Sequence, residues 1–193
     1  MDKGQRIHPL REGQQMAKVK VDWDRYLFQT LAGLRGKGLL LSSVDSQGRP
    51  NAMAIGWASF GIEWGRPIAT VMVRPSRYTF GCIELTNDFT ISVPYSDLDD
   101  QVLFCGTASG RDVDKFAECG FTVLPVEGIR SPGIAQAGLI YYCRVVHRND
   151  VLASQLDEEI KADAYPKGDY HRFYYGLIHA VLADEDFEER YGR

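Results

Sequence analysis

A series of short apolar segments, rich in β-branched and aromatic residues and each closed by turn-forming residues, most constrains what this chain can fold into. Leu39 to Val44 is one such segment. Asp45-Ser46-Gln47-Gly48-Arg49-Pro50 follows as a turn, and Asn51 to Trp57 reads as a second strand, so the two are expected to pair as a hairpin. Ile68 to Val73, Phe89 to Val93, Phe121 to Val126, Gly138 to Val146 and Phe173 to Leu182 complete the strands. The helical patterns between them are short: Asp22 to Leu31, a segment N-capped by Ser76 and running to Leu85, Asp97 to Cys105, and Asp112 to Cys119. Short strands without long helices between them argue for an antiparallel barrel with helical insertions, and against a doubly wound sheet. Periodicity alone leaves a sandwich open beside the barrel.

A length of 193 residues fits one domain over the whole chain. Residues 1–20 read as an arm-like leader, Gln155 to Gly168 as a surface excursion, and residues 184–193 as an acidic, solvated tail. The net charge of -4 gives no general field for nucleic acid or an anionic membrane, so an anionic ligand needs a local basic site. No apolar stretch has signal-peptide or membrane-helix character. Cys82, Cys105, Cys119 and Cys143 are scattered, with no CxxC pair, and read as reduced thiols of a cytoplasmic protein. Cys105 reads as structural, because no second cysteine is close to it in sequence.

Four segments can carry chemistry. From Asn51 to Ala58, one face of the strand holds Asn51, Met53, Ile55 and Trp57, and the other only Ala52, Ala54, Gly56 and Ala58. Such a bare face admits a flat ring, or a partner strand or helix. Arg74-Pro75-Ser76-Arg77-Tyr78-Thr79 brings two arginines and two hydroxyls to a helix start, where free N–H groups favour an anion. A solvated, capped helix start is the plainer reading. Ser109-Gly110-Arg111-Asp112-Val113-Asp114-Lys115-Phe116 is a loop-to-helix junction in which Ser109 and Lys115 can reach one anion and Asp112 can cap the helix. His171-Arg172-Phe173-Tyr174-Tyr175-Gly176 bunches aromatics at a strand entrance, suited to stacking on a ring or to filling a core. Gly33-Leu34-Arg35-Gly36-Lys37-Gly38 is not GxGxxG, and GxxxxGK[ST], GxSxG and HExxH are absent, so neither a Rossmann site nor a metal site is expected.

Taken in order and spacing, Asn51 to Ser59, Arg74 to Thr79, Ser109 to Phe116 and His171 to Ile178 resemble the flavin reductase-like FMN-binding split-barrel family, which includes the flavoredoxins. The resemblance implies a mainly β fold with short helices, a six-stranded antiparallel Greek-key split barrel. It also implies a homodimer with FMN near the subunit boundary. It places the phosphate among Arg74, Arg77, Thr79, Ser109 and Lys115, with Tyr78 and Gly110 in the same segments. The ring would lie along Met53 to Ser59, against Trp57, Ala58 and Ser59, and His171 and Tyr174 would approach it from the late segment. Ala54 stands where the family commonly has a hydroxyl.

The function implied is that of an oxidoreductase that docks NAD(P)H transiently and passes electrons through FMN to an acceptor, with no catalytic side chain required. A flavoredoxin-like carrier reduced by a partner protein and a non-catalytic flavin-binding domain are the alternatives.

Overall fold

The computed structural model describes residues 17–191, so most of the arm-like leader and the last two tail residues lie outside the described residues. In chain order the elements are β1 (Lys18–Lys20), α1 (Leu27–Arg35), β2 (Leu39–Val44), β3 (Pro50–Ile55), β4 (Ala58–Glu63), β5 (Arg66–Val73), α2 (Tyr78–Thr86) and β6 (Asp88–Val93). They continue as α3 (Asp99–Thr107), α4 (Lys115–Cys119), β7 (Val123–Val126), β8 (Ile129–Ile134), β9 (Leu139–Asp150), α5 (Glu158–Ala164), β10 (Arg172–Asp184) and α6 (Phe187–Arg190).

The main sheet is antiparallel throughout, in the order β3-β2-β6-β9-β10-β5-β4, with β1 also paired to β10. The expected hairpin is β2–β3, in register from Leu39↔Ile55 to Val44↔Pro50. β3 and β4 are adjacent in the chain yet end opposite edges of the sheet, because the backbone breaks at Gly56-Trp57. That break is the split in the barrel, and it interrupts the alternation that the sequence suggests from Asn51 to Ala58. The class is the expected one, but the main sheet has eight strands and not six. β1 and β4 were not legible as strands. β1 is only three residues long, and β4 (Ala-Ser-Phe-Gly-Ile-Glu) is half-exposed, with a glycine inside it.

Two apolar clusters explain why β2 is buried along its whole length. Leu39 and Leu41 point into the barrel with Phe89, Ile91, Tyr141 and Cys143, whereas Leu40 points outward with Ile140 and Tyr142 under α3 and α4. Helices cover the outer face there, so the strand reads as a continuous apolar run. The bare face of β3 is used in the same way. Ala52 and Ala54 pack against the α3 cluster, and the Ala54 methyl lies 3.3 Å from where a Cβ on Gly106 would sit. A helix packs against that part of the face.

The acidic tail is packed over its described residues. Phe187 is fully buried, its ring 4.8 Å from that of Tyr26, and the Tyr191 hydroxyl donates to the Gln29 carbonyl at 2.8 Å. Phe187 and Tyr191 share one helical face, and that face decides the outcome over the charge around it. Among the described residues no helix is long and apolar enough to cross a membrane.

Candidate functional site

Two connected cavities open beside the split. The smaller, about 130 Å³, lies between the start of α2, strand β3 and the α3–α4 loop, and Arg77, Thr79, Ser109 and Lys115 line it. The larger, about 210 Å³, lies between Met53–Trp57, Met72, Arg74 and His171. Met53, Ala54 and Arg77 border both, so one ligand can span them.

Lys115 defines the smaller cavity. Asp114, and not Asp112, caps α4 by accepting from the Ala117 N–H at 3.0 Å. Lys115, the first residue of α4, thereby turns inward. It is 4% exposed and its Nζ donates to the Cys105 carbonyl at 2.8 Å. Among the described residues no carboxylate lies within ion-pair distance of it. Burial pulls its pKa below the ordinary lysine value, and the Arg77 guanidinium pulls the same way. A buried cation without a counter-ion is costly, and an anion in the cavity removes that cost.

Other donors converge on the same space. α2 begins at Tyr78 with Arg77 as its N-cap residue and no side-chain cap. The Tyr78 and Thr79 N–H groups meet no acceptor among the described residues, which leaves the positive end of the helix dipole bare. Ser76 does not cap α2: its hydroxyl donates to Asp169 at 2.5 Å. Thr79 is buried and accepts from the Asn51 side-chain amide at 2.9 Å, which fixes β3 against α2. Gly110 is required for close approach, since a Cβ there would lie 2.1 Å from Asn51 Oδ1 and 2.7 Å from the Tyr78 ring. Arg111 reaches back to the Ser76 carbonyl at 3.1 Å and covers the Tyr78 ring, and the Tyr78 hydroxyl donates to Asp45 at 3.1 Å.

The larger cavity has an aromatic wall. His171 is buried, its Nδ1 lies 2.7 Å from the Tyr165 hydroxyl and its ring 4.9 Å from the Trp57 ring. Burial, helped by nearby Arg74, lowers its pKa to about 4, so it is neutral near pH 7. Arg74 donates to the carbonyls of Ala164, Gly168 and Asp169 and stacks 5.0 Å from the Tyr165 ring centre. It borders the larger cavity, not the smaller, and it anchors the segment after α5. The excursion at Gln155 to Gly168 therefore supports His171 from behind through buried Tyr165.

Of the residues singled out in the sequence, Tyr78, Thr79, Ser109, Gly110 and Lys115 line the smaller cavity, Trp57 and His171 the larger, and Met53 and Arg77 both. Ala58 and Ser59 fall past the Gly56-Trp57 break, in an adjoining cleft of about 540 Å³ with Leu31, Leu34 and Phe173. Trp57 borders that cleft too. Tyr174 does not join the site. It is fully buried and its hydroxyl donates to Glu84 at 2.7 Å. Asn51 and Arg111, which border the smaller cavity, and Tyr165, which supports His171, were not picked out. Asn51 and Arg111 sat inside the segments already singled out, whereas Tyr165 had no local signal.

Fold and cleft together define a split-barrel protein in which a cavity lined by Arg77, Ser109 and Lys115 adjoins one walled by aromatic and apolar groups. Residues 35–191 match the family model described as flavin reductase like domain, and the chain belongs to that family. Among solved structures it is similar to flavoredoxin of Desulfovibrio vulgaris (Miyazaki F), at 26% identity and a TM-score of 0.62 over 77% of this chain and 69% of that one. It is also similar to flavoredoxin from Methanosarcina acetivorans, at 28% identity and 0.62 over 77% and 68%. The uncharacterised protein YddH of Escherichia coli (strain K12) is 35% identical over 97 residues, 49% of this chain and 51% of that one. The chain spans about half the length of the curated relatives it matches.

Proposed function

We propose that the chain is an FMN-binding oxidoreductase that passes electrons from NAD(P)H through bound flavin to an acceptor. The observation that carries this reading is Lys115: a buried ammonium with no carboxylate within ion-pair distance among the described residues, in a cavity that Arg77, Ser109 and the bare start of α2 also face. That donor set suits a phosphate. Arg77, Ser109, Lys115 and the N–H groups of Tyr78 and Thr79 hold it. The Met53–Trp57 backbone and His171 flank the ring, and Arg74 holds the His171 side of the wall through Tyr165. Bound there, FMN supplies acceptance of hydride and onward transfer of electrons. The neutral His171 adds no charge next to the ring, and the aromatic wall limits water.

The chain acts as a homodimer on this reading. Trp57, at 45% exposure, borders both the ring cavity and the adjoining cleft, and a second copy would cover it. The four buried free cysteines suit a cytoplasmic protein. A second reading, an electron carrier reduced by a partner protein, draws support from the likeness to two flavoredoxins. Anaerobic rapid mixing of the FMN-loaded protein with NADH and with NADPH separates the two. Bleaching of the flavin band by either nucleotide is the expected result, and a band unchanged by both would favour the carrier.

A further inference from the structure

Cys105 on α3 and Cys119 at the end of α4 are 14 residues apart, and the fold brings their sulfurs to 3.9 Å. Both are almost fully buried, but Cys105 also borders the anion cavity, which gives a small molecule a route to it. Lys115 donates to the carbonyl of Cys105 itself, so its charge sits beside that residue. Cys82 and Cys143, the other two cysteines, are buried and belong to other parts of the core.

We propose that Cys105 and Cys119 form an oxidisable dithiol, a modification site that takes hydrogen peroxide and closes to a disulfide beside the anion cavity. Closure needs the sulfurs to approach by about 2 Å, since a disulfide bond is about 2.05 Å long. Cys105 is the attacking group. The Cys119 thiol donating to it, together with the Lys115 charge, lowers its pKa, whereas Cys119 is raised by its hydrogen bond to Cys105 and by burial.

In the first step Cys105 sulfur attacks one peroxide oxygen. The S–O bond forms and the O–O bond breaks. The departing hydroxide takes up the proton released by Cys105 and leaves as water. In the second step Cys119 sulfur attacks the Cys105 sulfenic acid. The S–S bond forms, the S–O bond breaks, and the hydroxyl leaves as water with the proton of Cys119. Two thiols lose two electrons in all, and one peroxide becomes two waters. The crosslink ties α3 to α4 and closes the loop that carries Ser109, Gly110, Arg111 and Lys115.

The test treats the full chain, with and without FMN, with hydrogen peroxide. Thiols are then counted after denaturation, and peptides are mapped without reduction. Four free thiols should fall to two, with Cys105 linked to Cys119 and the link reversed by dithiothreitol. In Cys119→Ser, dimedone should trap a sulfenic acid on Cys105, and Cys105→Ser should leave its remaining thiols intact. Retention of all four thiols overturns the proposal. So does loss at Cys82 or Cys143, or oxidation of Cys105 without the crosslink in the wild-type chain. The FMN arm rests on the proposed function: a bound phosphate covers the route to Cys105 and should slow the reaction. An equal rate with and without FMN leaves the dithiol standing and counts against the phosphate assignment.

Discussion

Lys115 and Arg77 divide the work at the anion cavity differently. Lys115 is buried beside Cys105, and Arg77 is exposed and borders both cavities. Each should contribute a charge-assisted hydrogen bond of about 1.5–3 kcal/mol to a phosphate, and about 1.4 kcal/mol is tenfold in affinity. Arg77→Ala and Lys115→Met should therefore each weaken FMN binding on the order of ten- to a hundredfold by calorimetric titration. Riboflavin, which lacks the phosphate, should bind each variant nearly as before. His171 gives a pH-dependent signature. An unfolded histidine titrates near about 6.5, and His171 in the fold near about 4. Between these values the unfolded state binds more protons. The contribution of His171 is thus fully present above about 6.5 and is lost as pH falls toward about 4. Denaturant midpoints measured across that range should fall less steeply in His171→Phe than in the parent chain. Lys115 was legible in sequence because Ser109 to Phe116 is one contiguous segment whose loop-to-helix geometry is local. Cys119 was not, because its nearness to Cys105 depends on how α3 and α4 pack.

At the scale of elements, the sequence placed the β2–β3 hairpin, α2, α3 and β9 closely, since turn residues and apolar periods mark them. It placed β10 too, but not what its side chains face. His171-Arg172-Phe173-Tyr174-Tyr175-Gly176 suits either stacking on a ring or filling a core, and alternation along the strand sends Tyr174 into the core. Which face of a strand meets a cavity is set by its neighbours, β5 and β9. Tyr174→Phe should accordingly leave FMN affinity unchanged. It should cost about 1.5–3 kcal/mol of stability by denaturant unfolding, the usual net worth of one hydrogen bond to a charged group. A loss of FMN affinity without a loss of stability would return Tyr174 to the site. The segment at 155–168 is the surface excursion that its polar composition indicates, and Tyr165, the one buried residue in it, packs inward on His171.

For the whole molecule, short strands without long helices between them pointed to an antiparallel β fold and left a sandwich open, the family resemblance pointed to the split barrel, and the strand count required knowing where the backbone breaks at Gly56-Trp57. That break leaves Trp57 at the junction of two clefts, and Ile62 and Trp64 stand well exposed on and just after β4. The apolar character of these side chains fits a covered face, and light scattering on the FMN-loaded chain should give the mass of a dimer. A monomer mass with FMN bound would remove the second copy from the account. A flavin-phosphate role for the cleft is open to one titration. Flavin-free chain is titrated by calorimetry with FMN and, separately, with riboflavin. Both should bind, with FMN favoured by at least about tenfold, the worth of a single charge-assisted contact. Equal affinity for the two flavins, or no binding of FMN, would contradict it.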